Sequence, residues 1–459
     1  MIMNRIFKFI LLVSILAVTW TNVRSQTQVP LKQLLDTATK NYPAILASAA
    51  LEKASEENVK SVRRTVIPNV NVSVQANYST YNNLTGMFNP EHILPVSGPP
   101  SSTNLNDMVW GSASGLLMKW EPYTFGRRNN EIKAAESTHE ASTSIKDLTL
   151  LEHSVQLSST YLDYLLAIQI LDLLESDQER SRSNYEQAVA LANSGLVSGV
   201  DTARFRTELS KVKINILQQH NTIHEYKEKL SELIAADLPE NLADSTFFKV
   251  LPKSPGVSGV IHPKEKLAIA QWNASQYQFR AEKLSWLPTL SLWGTAYGRG
   301  SGVQLDNNGN TFVNNPTDGF NLTRFNYGLG LQLTMPLTQI SRYKTHWKAK
   351  EWEAEADQQQ LEEVRLALNK QKSIADQSLQ TAMAIAQETP FQVQDARFAY
   401  ETVQSRYQAG LVSFTELIES QNELITAEIE LRKSYWEAWK ALLYTAAVNG
   451  NLEIFLNQL

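Results

Sequence analysis

The stretch Tyr407–Glu419, read as Tyr-Gln-Ala-Gly-Leu-Val-Ser-Phe-Thr-Glu-Leu-Ile-Glu, lies between two long segments whose apolar residues recur with helical spacing. Gly410 supplies the left-handed backbone that commonly ends a helix, and the short link after it lets a second helix begin almost at once. A near copy of this stretch occurs upstream at Asn193–Asp201, where Gly195 takes the place of Gly410. Each copy therefore predicts the tip of a helical hairpin.

The two halves of the chain repeat the same landmarks in the same order. Besides the glycine tip, each half has one proline near a helix start, one before an alternating segment and one before the long helix. These are Pro43, Pro68 and Pro122 in the first half, and Pro263, Pro288 and Pro336 in the second. Agreement in order and spacing indicates an internal duplication.

The composition excludes several classes of function. The chain has 459 residues and a net charge of −5 with scattered basic residues, which argues against nucleic-acid binding. The absence of cysteine excludes disulfides, thiolate metal sites, a thiol nucleophile and a lipid anchor on cysteine. The sequence shows no Ser/His/Asp set, no paired buried acids and no phosphate loop. We therefore expect no enzyme activity, no cofactor and no bound metal.

Residues 1–25 have the pattern of a signal peptide. Arg5 and Lys8 precede an apolar core, and Val23 and Ser25 occupy the small-residue positions before a cleavage site. An N-terminal membrane anchor is the alternative, but the apolar run is short for one. No later stretch reaches the ~20 apolar residues of a spanning helix, so we expect any membrane crossing to use strands.

Each half also contains two segments of about ten residues in which apolar and polar residues alternate, as in half-buried strands. In the first segment Val70, Val72 and Val74 alternate with polar neighbours. Strands of this length can cross a bilayer, but a barrel in lipid must be closed, and single-chain barrels begin at about eight strands. Four strands cannot close alone. We therefore expect three chains to supply twelve strands around a water-filled lumen.

These patterns predict a mainly helical, internally duplicated chain with transmembrane strands. After the signal peptide, repeat 1 spans 26–236 and contains a helix, strand 69–81, loop 82–109, strand 110–121, long helix 127–194 and return helix 200–236. A linker at 237–259 leads to repeat 2 at 260–450, with a helix, strand 289–299, loop 300–325, strand 326–335, long helix 341–408 and return helix 414–448. Residues 451–459 form a C-terminal tail.

The second return helix carries a seven-residue apolar repeat. Leu417, Leu424, Leu431 and Ala438 form one column, which predicts left-handed coiled-coil packing. Pro390 lies inside the second long helix and predicts a kink or a local break. An ordinary soluble bundle would explain these helices equally well, but it would not explain the strands.

At this point the chain resembles the TolC family of outer-membrane efflux proteins over essentially the whole mature sequence. The resemblance rests on the Tyr-Pro and His-Pro helix starts, the proline-led strands, the openings Pro122–Arg127 and Pro336–Arg342, and the two Gly-Leu-Val-Ser tips. It implies a homotrimer with a twelve-stranded barrel in the lipid of the outer membrane, continued by a long periplasmic α-helical barrel. It also implies docking on a periplasmic adaptor, or membrane fusion protein, and an inner-membrane pump.

The resemblance also implies roles for residues near the tips. Acidic positions that line the channel aperture in the family match Glu416 and Glu419, with Asp201 at the first tip, and Tyr407 matches a tyrosine that holds the closed state in some members. The tips expected to dock the adaptor are Gly195, Leu196, Val197 and Ser198, and Gly410, Leu411, Val412 and Ser413. Where some members have a basic residue at the second tip this chain has Val412, and Val200 replaces a hydroxyl residue before the first tip acid. A solvated helix face with capping acids is the alternative for the carboxylates.

Two further sets of residues were considered. His220 and His224 have the spacing of metal ligands on a helix, but a polar helix face is the simpler interpretation. Six aromatic residues near strand ends could form interfacial girdles, with ordinary sheet packing as the alternative. They are Tyr78, Tyr81, Trp110, Trp120, Trp286 and Trp293.

Three functions were weighed against these patterns. The favoured one is a passive exit duct in the outer membrane, serving a tripartite efflux or type I secretion system that exports small molecules or proteins. The second is a non-channel periplasmic coiled-coil structural protein, which would not need alternating strands. The third is a secreted helical enzyme. The sequence does not identify the exported substrate.

Overall fold

The structure is a computed structural model of the single chain. It describes residues 31–80, 86–88, 94–96, 104, 106–195, 198–239, 242, 246–254, 256, 259–305, 311–313, 316–337 and 340–458. The predicted signal peptide at 1–25, parts of the two strand-connecting loops, and Leu196 and Val197 of the first tip lie outside these residues.

The helices and strands follow the duplicated order expected from the sequence. The first half contains α1 Leu31–Asn41, α2 Pro43–Arg63, β1 Asn69–Thr80, β2 Gly86–Phe88, β3 Leu94–Val96, β4 Met108–Tyr123, α3 Arg127–Asn193 and α4 Gly199–Ile234. The second half contains α5 Pro263–Lys283, β5 Thr289–Ser301, β6 Val303–Leu305, β7 Thr311–Val313, β8 Arg324–Thr334, α6 Ile340–Gln408 and α7 Phe414–Val448, followed by α8 Glu453–Leu456. The predicted fold class, mostly helical with four long strands in an internal duplication, is confirmed.

The four long strands form one antiparallel sheet in the order β1-β4-β5-β8. The two strands of each repeat pair with each other, and β4 of the first repeat pairs with β5 of the second. A β-bulge interrupts the register of β4 and β5 between Trp120 and Tyr123. The outer strands β1 and β8 each have one edge without a ladder partner among the described residues.

The register brings the apolar residues of all four strands to one face of the sheet. Val72 pairs with Leu116, Leu116 with Ala296, and Leu292 with Leu331. The apolar face is open to the surroundings of the single chain, with Val72 73% and Leu331 70% exposed. The opposite face is mostly polar or glycine; it includes Asn71, Ser73, Gln75, Gly115, Thr295, Gly330 and Gln332.

Trp293 departs from the predicted aromatic girdle. It lies opposite Gly330 on the polar face, where a Cβ added to Gly330 would come within 2.5 Å of Trp293 Cζ2. The indole therefore packs over Gly330 of the neighbouring strand β8 and does not face lipid. Trp110 lies on the apolar face and packs against Tyr78 in a tilted arrangement, with 4.8 Å between ring centroids. Trp120 Nε1 donates to the Val66 carbonyl oxygen over 2.7 Å. Tyr81 lies outside the described residues.

The described chain divides into two compact units. One contains Lys53–Glu140 and Ala270–Gln359, and therefore all four long strands; the other contains Met1–Glu52, Ala141–Ile269 and Gln360–Leu459. The core of this second, helical unit is built from apolar residues of both repeats, including Leu34, Leu157, Leu162, Leu165, Leu230, Ile234, Leu442 and Leu443. Leucines at helical spacing on α1, α3, α4 and α7 thus bury one another, as the periodicity predicts.

The segment predicted to be a linker packs into this core. Phe247 and Phe248 are buried, and the Phe247 ring lies edge-on to Trp439 at 5.0 Å. The C-terminal residues are also held, because Phe455 is fully buried and Gln458 exchanges hydrogen bonds with the Lys253 backbone. Both segments therefore belong to the helical unit.

Two predictions concern the long helices. Pro390 predicts a kink or a local break in α6, and since α6 continues through Pro390 as one element, the break is absent from it. Helix α3 contains a window long and apolar enough, by length and composition alone, to cross a membrane. This differs from the prediction that no stretch after residues 1–25 is apolar enough to span a membrane. Because α3 supplies Leu157, Leu162 and Leu165 to the helical core, we interpret it as a core helix.

Candidate functional site at the hairpin tips

The second tip has well-defined caps on both sides of the turn. Gly410 has φ +73°, and the amides of Gly410 and Leu411 donate to the carbonyl oxygens of Tyr407 and Arg406 over 2.9 Å each. This pair of bonds is a Schellman motif, which glycine favours because the left-handed backbone carries no Cβ penalty. Leu411 is 69% exposed, so the tip presents an apolar side chain outward.

Ser413 begins α7 as its N-cap. Its Oγ lies 3.4 Å from the Glu416 amide nitrogen and 3.4 Å from Glu416 Oε1. The arrangement resembles a capping box, in which serine and a glutamate three residues later satisfy the first turn of a helix. Glu416 therefore has a local structural role in addition to any role in the aperture.

The described part of the first tip has the same design. Gly195 also has φ +73°, and Ser198 caps α4 by accepting a hydrogen bond from the Val200 amide over 3.3 Å. The Asp201 amide donates to the Ser198 carbonyl oxygen over 3.0 Å. Asp201 thus occupies the same position in α4 that Glu416 occupies in α7.

An aromatic cluster joins the two hairpins just inside the tips. Phe205 of α4 is fully buried, 4.5 Å from the Phe414 ring and 5.9 Å from the Tyr407 ring, both in edge-on geometry. Leu417 and Ala188 complete the cluster from α7 and α3. All four helix ends therefore pack together here through apolar contacts.

Tyr407 is placed differently from the expected closing tyrosine. Its ring is buried in the cluster, and its hydroxyl has no hydrogen-bond partner among the described residues. Burial raises the pKa of Tyr407, and the nearby Asp201 carboxylate raises this pKa further. The two residues are brought into one neighbourhood, but no hydrogen bond joins them.

Glu416 and Glu419 lie on the first turns of α7, and both side chains are exposed. No Lys, Arg or His of the described chain lies within ion-pair distance of either carboxylate. Their spacing of three residues puts them on one side of the helix. The geometry is compatible with a carboxylate pair facing an aperture and equally with a solvated helix face.

A buried polar network that the sequence analysis missed lies several turns inside the tips. Asn184 Nδ2 donates to Gln421 Oε1 over 2.8 Å, and Gln421 Nε2 donates to Asp177 Oδ1 over 3.0 Å and to Ser181 Oγ over 2.7 Å. All four side chains are at most 4% exposed. Tyr400 extends the network to α6, because its hydroxyl accepts from Asn184 Nδ2 over 3.3 Å.

A buried carboxylate continues this network toward the middle of α7. Glu428 accepts from Arg180 Nη2 over 2.9 Å through Oε2 and from Arg397 Nη2 over 2.6 Å through Oε1. Arg180 also donates from Nε to Asp177 Oδ1 over 3.3 Å. Since buried ions are costly unless they are paired, the two arginines are what make a buried Glu428 tolerable.

The sequence held a signal for this network. Gln421 and Glu428 are seven residues apart and directly follow Ser420 and Ala427, two small residues with the same spacing, while Asp177, Ser181 and Asn184 share one face of α3. Polar residues at helix positions that pack against other helices indicate buried hydrogen bonds, because buried polar groups are almost always paired. Apart from Arg397, the partners of Gln421 and Glu428 lie on a helix of the other repeat, and one sequence does not reveal such pairing.

The described residues contain no group of His, Asp and Glu arranged to hold a metal ion. His224 Nδ1 lies 3.9 Å from Glu228 Oε1 on the surface of α4. The polar-face interpretation of His220 and His224 therefore fits this geometry.

Both repeats of the chain match a model of one known protein family. The model of the family described as Outer membrane efflux protein matches residues 34–236 and 266–443, which are the two repeats. No curated protein matches the sequence.

Solved structures share the fold at low sequence identity. The outer membrane protein VceC of Vibrio cholerae is 15% identical with a TM-score of 0.74, covering 92% of this chain and 97% of that one. CusC, described as forming a transmembrane channel, is 12% identical with a TM-score of 0.77, covering 93% of each chain. The open-state outer membrane channel MtrE of Neisseria gonorrhoeae is 15% identical with a TM-score of 0.71, covering 92% of this chain and 89% of that one.

Proposed function

Because this chain belongs to the outer membrane efflux protein family, whose members are channels of the outer membrane and not enzymes, we propose that three copies assemble into one exit duct. The duct passes solutes from the periplasm to the exterior as the last part of a tripartite assembly. The chain provides the passage, and a pump in the inner membrane provides the energy.

The observation that carries this proposal is the register of the four-stranded sheet. One face is mostly apolar and exposed, the opposite face is mostly polar or glycine, and the outer strands β1 and β8 each have an edge without a ladder partner among the described residues. Lipid tolerates a sheet only when its edges are closed. Joining β8 of one copy to β1 of the next, three times over, closes the sheet with its polar face toward a water-filled lumen.

The hairpin tips support docking of a periplasmic adaptor. Leu411 is exposed, as is the Gly410 turn that carries it. Ser413 and Ser198 are the N-caps of α7 and α4, and their small side chains add little bulk to the tips. An exposed leucine on a rigid turn suits insertion into an apolar groove of a partner. Leu196 and Val197, which lie outside the described residues, belong to the same proposed surface.

The carboxylates at the tips form the proposed aperture. In a trimer, Glu416 and Glu419 would supply six carboxylates, and Asp201 three more. A ring of like charges favours ions of opposite sign at a constriction. Tyr407, by contrast, supports the tip through packing with Phe205, because its hydroxyl makes no hydrogen bond among the described residues.

A periplasmic coiled-coil structural protein is the second candidate, and the buried heptad column of α7 is the observation that favours it. Leu417, Leu424 and Ala438 are all at most 1% exposed. Such a protein would have no need for an exposed apolar sheet, since that face would be in contact with water. The channel explains both features.

Reconstitution into planar bilayers tests the proposed channel. We expect the detergent-extracted wild type to give discrete conductance steps, and a Val72→Arg variant, which places a charge on the lipid face, to give none. Stable trimers that insert into the bilayer without any ion conductance would contradict the proposal.

A further inference from the structure

Two arginines face each other across neighbouring strands of the sheet. Arg299 of β5 and Arg324 of β8 are directly paired in the register. Directly opposite residues of an antiparallel pair have Cβ atoms roughly 4.5–5.5 Å apart, and like charges at such positions destabilise the sheet. Placing two guanidinium groups here has a cost that ordinary strand formation does not explain.

Neither arginine is neutralised by the residues that the structure describes. No carboxylate of the described residues lies within ion-pair distance of either guanidinium, and both residues are exposed. Glu121 is the only acidic residue in the four long strands, and it lies 3.7 Å from Arg127. The pair therefore leaves two positive charges per copy available to a ligand.

Both arginines lie on the polar face, at the end of the sheet where β5 and β8 are connected through residues 302–323. This end is fixed by hydrogen bonds, because the Thr323 amide donates to the Arg299 carbonyl oxygen over 3.0 Å and Ser112 Oγ donates to the Gly319 carbonyl oxygen over 2.5 Å. Long loops of outer-membrane barrels lie on the exterior side. In the proposed duct, the pair therefore faces the lumen at its outer mouth.

We propose that Arg299 and Arg324 form a binding site for multivalent anions, such as solutes with phosphate or clustered carboxylate groups, at the outer mouth of the duct. This inference rests on the proposed channel and names the class of solute that the mouth attracts. Guanidinium groups bind phosphate and carboxylate oxygens through paired hydrogen bonds, and two opposed groups suit an anion with more than one negative charge.

The acidic tips would select ions of the other sign. Positive charge at the outer mouth concentrates anions there, while Glu416, Glu419 and Asp201 favour cations at the tips. The two arginines therefore retain a multivalent anion that the carboxylates of the tips would repel.

Calorimetric titration with inorganic triphosphate tests the site directly on the detergent-solubilised, full-length protein. We expect binding that weakens as salt rises, and a loss of about tenfold or more in affinity in the R299Q/R324Q variant, because charge-assisted hydrogen bonds are removed. Lys119→Gln is the matched control, since Lys119 is also a cation on the polar face but pairs with Asn69 and Trp293 at the other end of the sheet. Equal affinity in wild type and R299Q/R324Q, or an equal loss in Lys119→Gln, would overturn the proposal.

Two further measurements are needed. One distinguishes a lipid headgroup from a soluble anion as the ligand, and the other distinguishes failure of the anion site from failure of the channel. If vesicles of anionic phospholipid bind in an Arg299- and Arg324-dependent way while triphosphate does not, the site recognises a lipid headgroup and the solute proposal is wrong. In planar bilayers, triphosphate added from the loop side should reduce the current through wild type and not through R299Q/R324Q. Protein that binds triphosphate but never conducts contradicts the channel, whereas conduction without an arginine-dependent triphosphate effect contradicts the site.

Discussion

Arg180 Nη2 donates a 2.9 Å hydrogen bond to Glu428 Oε2, and this ion pair joins the long helix of the first repeat to the return helix of the second. The Glu428 side chain is 7% exposed, and Arg397 of α6 binds its other oxygen. One carboxylate thus connects three helices behind the tips. The pairing fixes how the two hairpins of a copy meet.

Removing this carboxylate should destabilise the helical unit. We expect Glu428→Ala to cost on the order of 2 kcal/mol, because partly buried Arg180 keeps only Asp177 as a carboxylate partner and Arg397 loses its ion pair. The melting temperature of the far-UV circular dichroism signal should fall by several degrees. Glu437→Ala, at an exposed position of the same helix, is the control and should leave the melting temperature unchanged. Equal melting temperatures for both variants would show that the pair contributes nothing measurable.

The network should also give a defined pH dependence. Burial raises the pKa of the Asp177 carboxyl, as does the Glu428 charge, while hydrogen bonds from Gln421 and Arg180 and the charge of Arg180 oppose the rise. A carboxyl whose pKa is raised by folding stabilises the folded state below its unfolded pKa, and this contribution is lost as the pH rises through the folded pKa.

Asp177→Asn tests this sign, because an amide oxygen can still accept from Gln421. We expect the variant to be at least as stable as the wild type at neutral pH. Its advantage should shrink as the pH falls toward about 4, where the wild-type carboxyl is protonated. A variant that is much less stable at neutral pH would mean that the charge interaction with Arg180 outweighs the burial of Asp177.

The two faces of the sheet should respond oppositely to charge. Arg at Val72 or Leu331 should block assembly in the membrane, because Arg on the lipid face near the bilayer midplane costs about 2–4 kcal/mol. Arg at Ser73 or Gln332, one residue away on the polar face, should be tolerated. Heat-modified mobility of the extracted protein measures assembly in all four variants. If Arg is tolerated at Val72 and Leu331 but not at Ser73 and Gln332, the strand register described here is wrong by one residue.

Replacing both tip glutamates by glutamine tests the aperture. E416Q/E419Q should reduce cation selectivity, measured as a reversal potential across a salt gradient, and weaken block by multivalent cations added from the periplasmic side. Glutamine at 416 preserves the capping geometry with Ser413, and exposed carboxylates contribute little to packing, so assembly should persist. Asp201→Asn should give a milder change. If cation selectivity and block by multivalent cations are both unchanged, these acids do not line an aperture and belong to a solvated helix face with capping acids.

Local patterns in the sequence were enough to predict the duplication, the four strands and the buried heptad column, because alternation and seven-residue spacing are local signals. Val72 and Leu331 lie on one face in the structure as their alternation predicts. The Arg180–Glu428 pair and the docking of Phe247 against Trp439 depend on contacts between distant parts of the chain. No local pattern specifies those partners. The prediction that Trp293 belongs to an interfacial girdle is wrong. Its indole packs over Gly330 on the polar face of the sheet and does not face lipid.

The central claim is that the open sheet of one chain is closed by two further copies. The mass of the protein component in detergent, determined by size-exclusion chromatography with multi-angle light scattering, tests this claim most directly. We predict a monodisperse species containing three chains, each of 51.6 kDa when all 459 residues are counted. A monodisperse monomer that retains its β-structure by circular dichroism would contradict the account.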